Sequence, residues 1–231
     1  MNVFELNLAR QEREFIIFHI IFSLIAALIL LIPLLPIGWK LFILVIIYNV
    51  GIIFFAIQRE YRLWQDIWIF TILISVFQVF PDWFLSAELN ILVFPEDGLF
   101  KIGTVSGYML GLWSIPLIII IFTGIRINER KDLKMSYLAV SFVTLMIFTV
   151  SETTIWMIGS WYAQNVFTLF GHLALYIIFP ELILGVSSYW VFLYLQKKPE
   201  IYKIPLSFLV MLLYLGSCSF FYFVIEEILM L

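Results

Sequence analysis

Charged side chains are scarce in this chain: Asp, Glu, Lys and Arg make up 13% of its 231 residues, whereas hydrophobic residues make up 64%. A soluble domain has about 25% charged residues and roughly 45–50% apolar ones. A soluble fold with the present composition would expose large contiguous apolar patches to water. The shortage of charge therefore excludes a soluble domain and predicts an integral membrane protein.

Residues and motifs that carry familiar chemistry are also missing. The single cysteine, Cys218, excludes an internal disulfide and a cysteine-based metal cluster. A Gly-rich phosphate loop, an HExxH pair, a CxxC motif and a GxSxG elbow are all absent from the sequence. The last apolar run contains no lysine, which a retinal protein needs there. Basic residues are few, so we expect no nucleic-acid partner, and nothing in the sequence calls for a cofactor.

Long apolar runs fill the chain instead. A bilayer core about 30 Å thick needs about 20 apolar residues per helix. By that measure, residues 1–231 form a single transmembrane domain, an all-α bundle of seven spans. The spans are predicted near residues 15–37, 41–58, 66–84, 103–125, 135–158, 166–196 and 204–229.

The basic residues orient this bundle, because cytoplasmic loops carry an excess of Lys and Arg. All but two of the 13 lysines and arginines precede the first span or follow the second, fourth and sixth spans. Lys40 and Lys101 are the two that fall on the other side, here called the outer side. We therefore predict a cytoplasmic N-terminus, an outer C-terminus and a multi-pass location in the cell's inner or plasma membrane.

One segment on the predicted outer side, residues 81–100, interrupts the apolar sequence with the motifs PD and PED. Between them lies Trp83, a residue type suited to the membrane interface. We predict a short helix over about residues 82–94 that lies in the interface, above the mouth of the bundle. Its acids are either solvated ends of a connector or a source of protons for a site.

Ionisable residues within a span are candidate site residues, because placing them in lipid is costly. Glu152 in the fifth predicted span and His172 in the sixth each lie ten residues from Tyr162. An antiparallel hairpin would therefore place them at the same depth. Such a pair can share a proton, or bind a metal ion with a third ligand. It can also form a hydrogen bond that only holds two helices together.

Further polar groups lie near the outer ends of other spans. Gln78 and Asp82 are four residues apart at the end of the third span, and Glu226 lies near the end of the seventh. The candidate catalytic residues are therefore Glu152, His172, Asp82 and Glu226. Glu181 follows Pro180 in the middle of the sixth span, about 13 Å along the helix from His172 and on its opposite face, so it is predicted to contact a different polar group, such as Asn49.

The fourth span opens with glycines at every fourth position, Gly103, Gly107 and Gly111. On a helix they form a ridge that lets another helix approach closely. The same groove leaves room for a flat apolar ligand. Nearby aromatic and polar side chains that would line a ligand cavity are Tyr108, Trp113, Trp156, Tyr176 and Gln78.

In its size, span count, aromatic richness and placement of acids, the chain resembles small polytopic proteins that modify isoprenoids. These are the membrane carotenoid cyclases and hydratases and the seven-span meroterpenoid cyclases. The motif PEDGLF, residues 95–100, is similar to an acid-acid-x-x-Phe element of the carotenoid cyclases. Glu226 or Glu227 stands in the last span, where the meroterpenoid cyclases keep an acid, whereas Asn49 stands where those cyclases have a Trp-Glu pair. The resemblance implies cyclisation, hydration or isomerisation in isoprenoid or carotenoid biosynthesis.

Two functions follow from these features. The first is a membrane lyase or isomerase that binds an apolar isoprenoid or lipid and protonates it. Protonating an alkene needs a neutral carboxylic acid in a site of low dielectric constant, and aromatic faces stabilise the cation that forms. The proton would come from Glu152, or from Asp82 together with Glu96 or Asp97.

The second function is a non-enzymatic carrier, channel or membrane-assembly protein whose buried acids bind a proton or a cation. It predicts a continuous polar path to the cytoplasmic side through Glu181, Asn49 and His19. In both cases the expected partners are membrane lipids, and the first adds an apolar small-molecule ligand. A resident metal ion, held by acids and a histidine, stays undecided at this point.

Overall fold

Seven long helices make up the computed structural model, which describes residues 3–230. Each helix is long and apolar enough to cross a membrane, which confirms the predicted all-α bundle of seven spans. The helices are α1 (Val3–Leu30, with Arg10–Leu30 as its apolar part), α2 (Ile37–Gln58), α3 (Arg62–Glu88), α4 (Met109–Arg130), α5 (Leu133–Ile158), α6 (Leu175–Leu195) and α7 (Glu200–Leu229).

The two sides of the bundle differ in the length of their connections. Residues 59–61, 131–132 and 196–199 join helices on the predicted cytoplasmic side. Ion pairs such as Lys203–Asp66, at 3.0 Å, lie at that end of the bundle. Long loops, residues 89–108 and 159–174, lie on the opposite side. All the lysines and arginines except Lys40 and Lys101 thus share one end of the bundle, and the side of the membrane that this end faces stays a prediction.

The long outer loops account for the span boundaries that the sequence placed wrongly. The fourth span begins at Met109 rather than near 103, and the sixth at Leu175 rather than near 166. Both loops contain enough apolar residues to look like helix, because they pack over the end of the bundle. Leu99 and Leu173, for example, are 8% and 3% exposed. Hydropathy alone does not distinguish such a covering loop from a span.

The predicted interfacial helix over residues 82–94 is wrong. Residues 79–88 extend α3 instead and end in the π-helical turn Phe84–Glu88. Pro81 is tolerated because it lies in the first turn of the segment Val79–Trp83, where a missing N–H costs no helical hydrogen bond. Beyond Glu88 the chain leaves the helix and forms the outer loop.

Three short antiparallel strand pairs organise the outer loops. Strand β1 (Leu92–Val93) of the first loop pairs with β4 (Tyr162–Ala163) of the second. The other pairs are local hairpins: β2 (Lys101–Ile102) with β3 (Val105–Ser106), and β5 (Thr168–Leu169) with β6 (Leu173–Ala174). The β1–β4 pair therefore ties two distant loops together over the outer end of the bundle.

The predicted glycine ridge is not a helical feature. Gly103 has a φ of +62°, which glycine adopts without strain, and lies in the turn between β2 and β3. Of the three glycines only Gly111 lies within α4. A Cβ atom on it would lie 2.6 Å from Cγ1 of Val45, so Gly111 does let α2 and α4 approach closely.

The inner half of the bundle is packed with apolar side chains. Phe70, Leu184 and Phe192 are at most 2% exposed. Asn49 is engaged with the outer turns of α4: its side chain accepts a hydrogen bond from Ser114 Oγ at 2.8 Å and donates one to the Gly111 carbonyl at 3.2 Å. Asn49 therefore connects α2 with α4, and the partnership with Glu181 predicted from the sequence is wrong.

The close packing around Gly124 of α4 predicts that a larger residue there destabilises the protein. A Cβ atom there would lie 2.6 Å from Cε2 of Tyr189 and 2.6 Å from Cγ2 of Val140, both buried. We expect Gly124→Ala to lower the free energy of unfolding by about 1–3 kcal/mol, the usual cost of overpacking a core. Thermal unfolding in detergent micelles measures it. Gly216→Ala, where a Cβ meets nothing within 4 Å, should be neutral or slightly stabilising; equal melting temperatures for the two variants would contradict the packing.

Candidate acidic site in the outer half of the bundle

A small cavity lies in the outer half of the bundle, next to strands β1 and β4. The volume accessible to water is about 30 Å³. Because a single water needs about 10–15 Å³ by this measure, the cavity has room for about two waters. The lining residues are Asp82, Leu85, Leu92, Phe94, Met109, Trp113, Glu152, Trp161, Ala163, Ala174, Tyr176, Ile177, Glu181 and Tyr214.

Three carboxylic acids from three different helices line this cavity. Asp82 comes from α3, Glu152 from α5 and Glu181 from α6. Asp82 and Glu181 are 2% and 3% exposed, and Glu152 is partly buried. None of the residues lining the cavity is Lys, Arg or His. The fold therefore concentrates acidic groups around a water-sized space and places no basic side chain in its wall.

Tryptophan side chains hold two of the three acids. Trp113 Nε1 donates a hydrogen bond to Asp82 Oδ2 at 3.1 Å. Trp161 Nε1 donates one to Glu152 Oε1, also at 3.1 Å. Within residues 3–230, the carboxyl group of Glu181 has neither a hydrogen-bond partner nor an ion pair. Buried polar groups are nearly always hydrogen-bonded, so a free carboxyl group next to a cavity points to a ligand or water.

Aromatic rings form much of the remaining wall. Trp113 packs against Phe148 and Tyr214, with ring centroids 5.5 and 5.7 Å apart. Tyr176 lies edge-on to Tyr222 at 5.8 Å. Trp113 and Tyr176, which the sequence predicted to line a ligand cavity, both line this one. Their faces present negative quadrupole charge, which favours a cation nearby.

An apolar cleft of about 230 Å³ adjoins the cavity between α4 and α5. Its apolar walls are formed mainly by Ile115, Pro116, Ile119, Ile147, Phe148 and Ile155. Met109, Trp113, Glu152 and Trp161 line both the cleft and the cavity. The cleft lies on the side of the bundle, where lipid chains would surround the helices. Glu152 thus stands between an apolar space and an acidic one.

His172 lies elsewhere, and its predicted pairing with Glu152 is wrong. It occupies the turn between β5 and β6, outside α6, and its ring stacks on Trp156 at 3.8 Å. The error arose because residues 159–174 form an outer loop rather than the start of a helix. Within residues 3–230 no three His, Cys, Asp or Glu side chains are grouped so that they could hold a metal ion.

Four other predicted site residues lie outside the cavity wall, among them Trp156, which stacks on His172. Glu226 Oε2 accepts a hydrogen bond from the backbone N–H of Phe167 at 2.9 Å and so anchors the second outer loop. The Tyr108 hydroxyl pairs with Ser160 Oγ at 2.8 Å, and burial raises its pKa above the usual value. Gln78 is fully buried, and its amide has no hydrogen-bond partner among the described residues.

The two acids of PEDGLF are structural as well. Glu96 is exposed and forms an ion pair with Lys101 at 3.0 Å. Asp97 is buried, and its carboxylate accepts hydrogen bonds from Ser106 Oγ and from the backbone N–H of Leu99. Neither residue lines the cavity. Of the acids in residues 81–100, Asp82 alone reaches the cavity.

Sequence reasoning considered Glu181 but assigned it to a different contact. The prediction placed Pro180 and Glu181 in the middle of a span, whereas both lie in the first turn of the α-helical segment Ile178–Leu195. A proline in the first turn of a helix is common, because its missing N–H is not needed there. That signal would have moved the start of the span towards residue 178. Glu181 would then have been predicted near the outer end, close to Glu152.

A family match covers the part of the chain that builds this site. Residues 79–225 match a family described as a domain of unknown function, DUF6989. The match extends over more than half of the chain. The chain belongs to the DUF6989 family. The DUF6989 region contains every residue that lines the cavity, from Asp82 to Tyr214, whereas α1 and α2 precede it. No curated protein and no solved structure matches the chain.

Proposed function

We propose that this membrane protein is an enzyme that performs acid–base chemistry on an apolar lipid or isoprenoid. One observation carries the proposal: Asp82, Glu152 and Glu181 line a single cavity, and Glu152 also lines the adjoining apolar cleft. A packing role for the acids would not require three helices to direct carboxyl groups at one water-sized space. Intramembrane acids of this kind are costly, which favours a functional role.

The chemistry follows from the number of acids. General acid–base catalysis needs one group that donates a proton and another that accepts one. Carboxyl groups fill both roles when one is protonated and its neighbour is ionised. A cation formed on the substrate would lie beside Trp113, whose ring borders both spaces. Asp82, Glu152 and Glu181 are the proposed catalytic residues.

The substrate class follows from the cleft. Its walls carry isoleucine, proline and phenylalanine side chains, which favour a hydrocarbon chain over a polar molecule. The chain's resemblance in layout to isoprenoid-modifying membrane proteins supports an unsaturated isoprenoid among such hydrocarbons. Protonation needs a double bond or an epoxide, which saturated acyl chains lack.

A carrier or channel that binds a proton or cation has less support. It would need a polar path from the acids to the inner side through Asn49 and His19. Asn49 is engaged with groups of α3 and α4, and His19 Nε2 pairs with the Tyr48 hydroxyl at 2.9 Å. Phe70, Leu184 and Phe192 fill the inner half of the bundle. These contacts favour a site that is reached from the membrane or from the outer side.

Asp82→Asn tests the proposed function. The purified protein is incubated with lipids extracted from its native membranes, and the products are identified by mass spectrometry. We expect the variant to convert lipid at least about tenfold more slowly than wild type, because a positioned acid or base contributes about 10²–10⁴-fold. His172→Ala, on the outer surface, is the control and should keep its rate. Wild-type conversion by Asp82→Asn at an unchanged melting temperature would overturn the proposal.

A further inference from the structure

The two spaces that meet at Glu152 differ in size and in polarity. The acidic cavity offers about 30 Å³, whereas the apolar cleft offers about 230 Å³. Asp82 and Glu181 line the cavity but not the cleft. Glu152 and Trp113 line both. A reaction in this region therefore brings together a molecule of each kind, one small and polar, the other larger and apolar.

Size decides which molecule occupies which space. Since about 10–15 Å³ holds one water, the cavity accepts water and excludes a chain or ring of several carbon atoms. The carboxyl groups of Asp82, Glu152 and Glu181 line its wall, and they give the waters inside it the polar partners that buried water requires. The apolar chain of the substrate therefore occupies the cleft, and its reacting carbon must reach Glu152 from that side.

We propose that the reaction is the addition of water to a carbon–carbon double bond of an apolar chain, or its reversal. This inference rests on the proposed function and narrows it from acid–base chemistry in general to hydration and dehydration. The structure assigns the hydrocarbon chain of the substrate to the α4–α5 cleft and the water to the cavity. Glu152, the only one of the three acids that borders both spaces, is the proton donor.

The step balances with these groups alone. The π electrons of the double bond take the proton of the Glu152 carboxyl group and form a C–H bond, which leaves a carbocation beside Trp113. A water oxygen then donates a lone pair to that carbon and forms the C–O bond. The excess proton of the water passes to the ionised carboxylate of Asp82, and Glu181, in the same cavity wall, relays it. Return of that proton to Glu152 completes the cycle, so the net reaction joins an alkene and water into an alcohol.

Cyclisation, the other reaction of a protonated isoprenoid, fits the site less well. A ring forms only if a second part of the chain folds back onto the cation. On the cavity side, the space beside Glu152 has room for about two waters, and acids rather than apolar groups surround it. A water in that position captures the cation before a chain segment reaches it.

Heavy-oxygen water is the probe that tests this inference. The purified protein is incubated in it with a lipid extract of its native membranes, and alcohols are analysed by mass spectrometry. We expect the protein to place heavy oxygen in a lipid hydroxyl group, in either direction of the reaction, because the reverse reaction exchanges the same oxygen. Converted lipids that carry no heavy oxygen would overturn hydration but leave the proposed acid–base function standing. If no lipid is converted, the proposed function falls as well.

A matched pair of variants tests whether the apolar substrate binds in the α4–α5 cleft. Ile147→Trp fills the α4–α5 cleft, whereas Ile21→Trp fills a groove of about 500 Å³ between α1 and α2. We expect Ile147→Trp to reduce heavy-oxygen incorporation at least tenfold and Ile21→Trp to leave it unchanged. A photoreactive diazirine analogue of farnesol gives a readout apart from activity, and its crosslinks to α4 and α5 should be lost in Ile147→Trp. Equal crosslinking in wild type and Ile147→Trp would overturn the assignment of the chain to this cleft.

Discussion

Replacing Glu152 by glutamine is expected to lower the rate of lipid conversion by about 100-fold or more, within the range that a general acid contributes. Glu152 borders both the acidic cavity and the apolar cleft, whereas Asp82 and Glu181 border the cavity alone. Glutamine has nearly the same shape, and its amide oxygen still accepts the hydrogen bond from Trp161. The variant therefore removes the transferable proton and leaves the packing in place.

Two further variants separate the loss of the proton from a disturbance of the site. Trp161→Phe keeps the acid but removes its hydrogen-bond donor, which lies 3.1 Å away. We expect a smaller reduction, about tenfold, because a misplaced acid still reacts. Glu96→Gln changes an exposed acid on the outer surface and should have no effect. The measurement is the initial rate of product formation, with melting temperatures recorded for each variant.

The ranking of these variants decides the role of Glu152. If Glu152→Gln reacts at the wild-type rate and melts at the wild-type temperature, Glu152 is not the proton donor. If Trp161→Phe loses as much activity as Glu152→Gln, the position of the carboxyl group matters more than its proton. Only a large loss in Glu152→Gln with a smaller one in Trp161→Phe agrees with the proposed role.

The bundle was predictable because each span carries its own signal. A run of about 20 apolar residues is enough to specify a membrane helix, and α2, α5 and α7 lie close to their predicted positions. The outer loops were not predictable, because their apolar residues pack over the end of the bundle and so resemble a span in sequence. Strand β1 gains its partner from β4, about 70 residues further along the chain, and local sequence does not record that pairing.

The candidate site was predictable in part for the same reason. Asp82 and Glu152 were found because each stands in or at the end of an apolar helix. Glu181 was assigned elsewhere, and His172 was brought in, because the start of α6 was placed near residue 166 instead of Leu175. That shift moves Glu181 from mid-membrane to the outer end and moves His172 out of the bundle. One misplaced helix start thus changed two members of the site.

Glu181 is also the residue where a change is expected to stabilise the protein. Glu181 is 3% exposed and accepts no hydrogen bond from the described residues, so that water in the cavity is the partner left to its carboxyl group. A buried polar group without a protein partner costs up to about 1–3 kcal/mol. A methionine of similar length removes that cost and keeps the apolar contacts of the side chain. We expect Glu181→Met to raise the free energy of unfolding in detergent micelles by about 1–3 kcal/mol and to abolish lipid conversion.

Glu14→Met is the matched control for this gain. Both oxygens of the Glu14 carboxylate accept hydrogen bonds, from Arg10 Nε at 2.9 Å and from the Tyr61 hydroxyl at 2.8 Å, so its loss should destabilise the protein by about 1.5–3 kcal/mol, the value of a hydrogen bond to a charged group. The two substitutions are chemically the same but are expected to change stability in opposite directions. Functional residues often reduce stability, because the protein keeps them for their chemistry. A loss of stability in Glu181→Met would instead identify Glu181 as a structural acid and leave Asp82 and Glu152 as the proton-transferring pair.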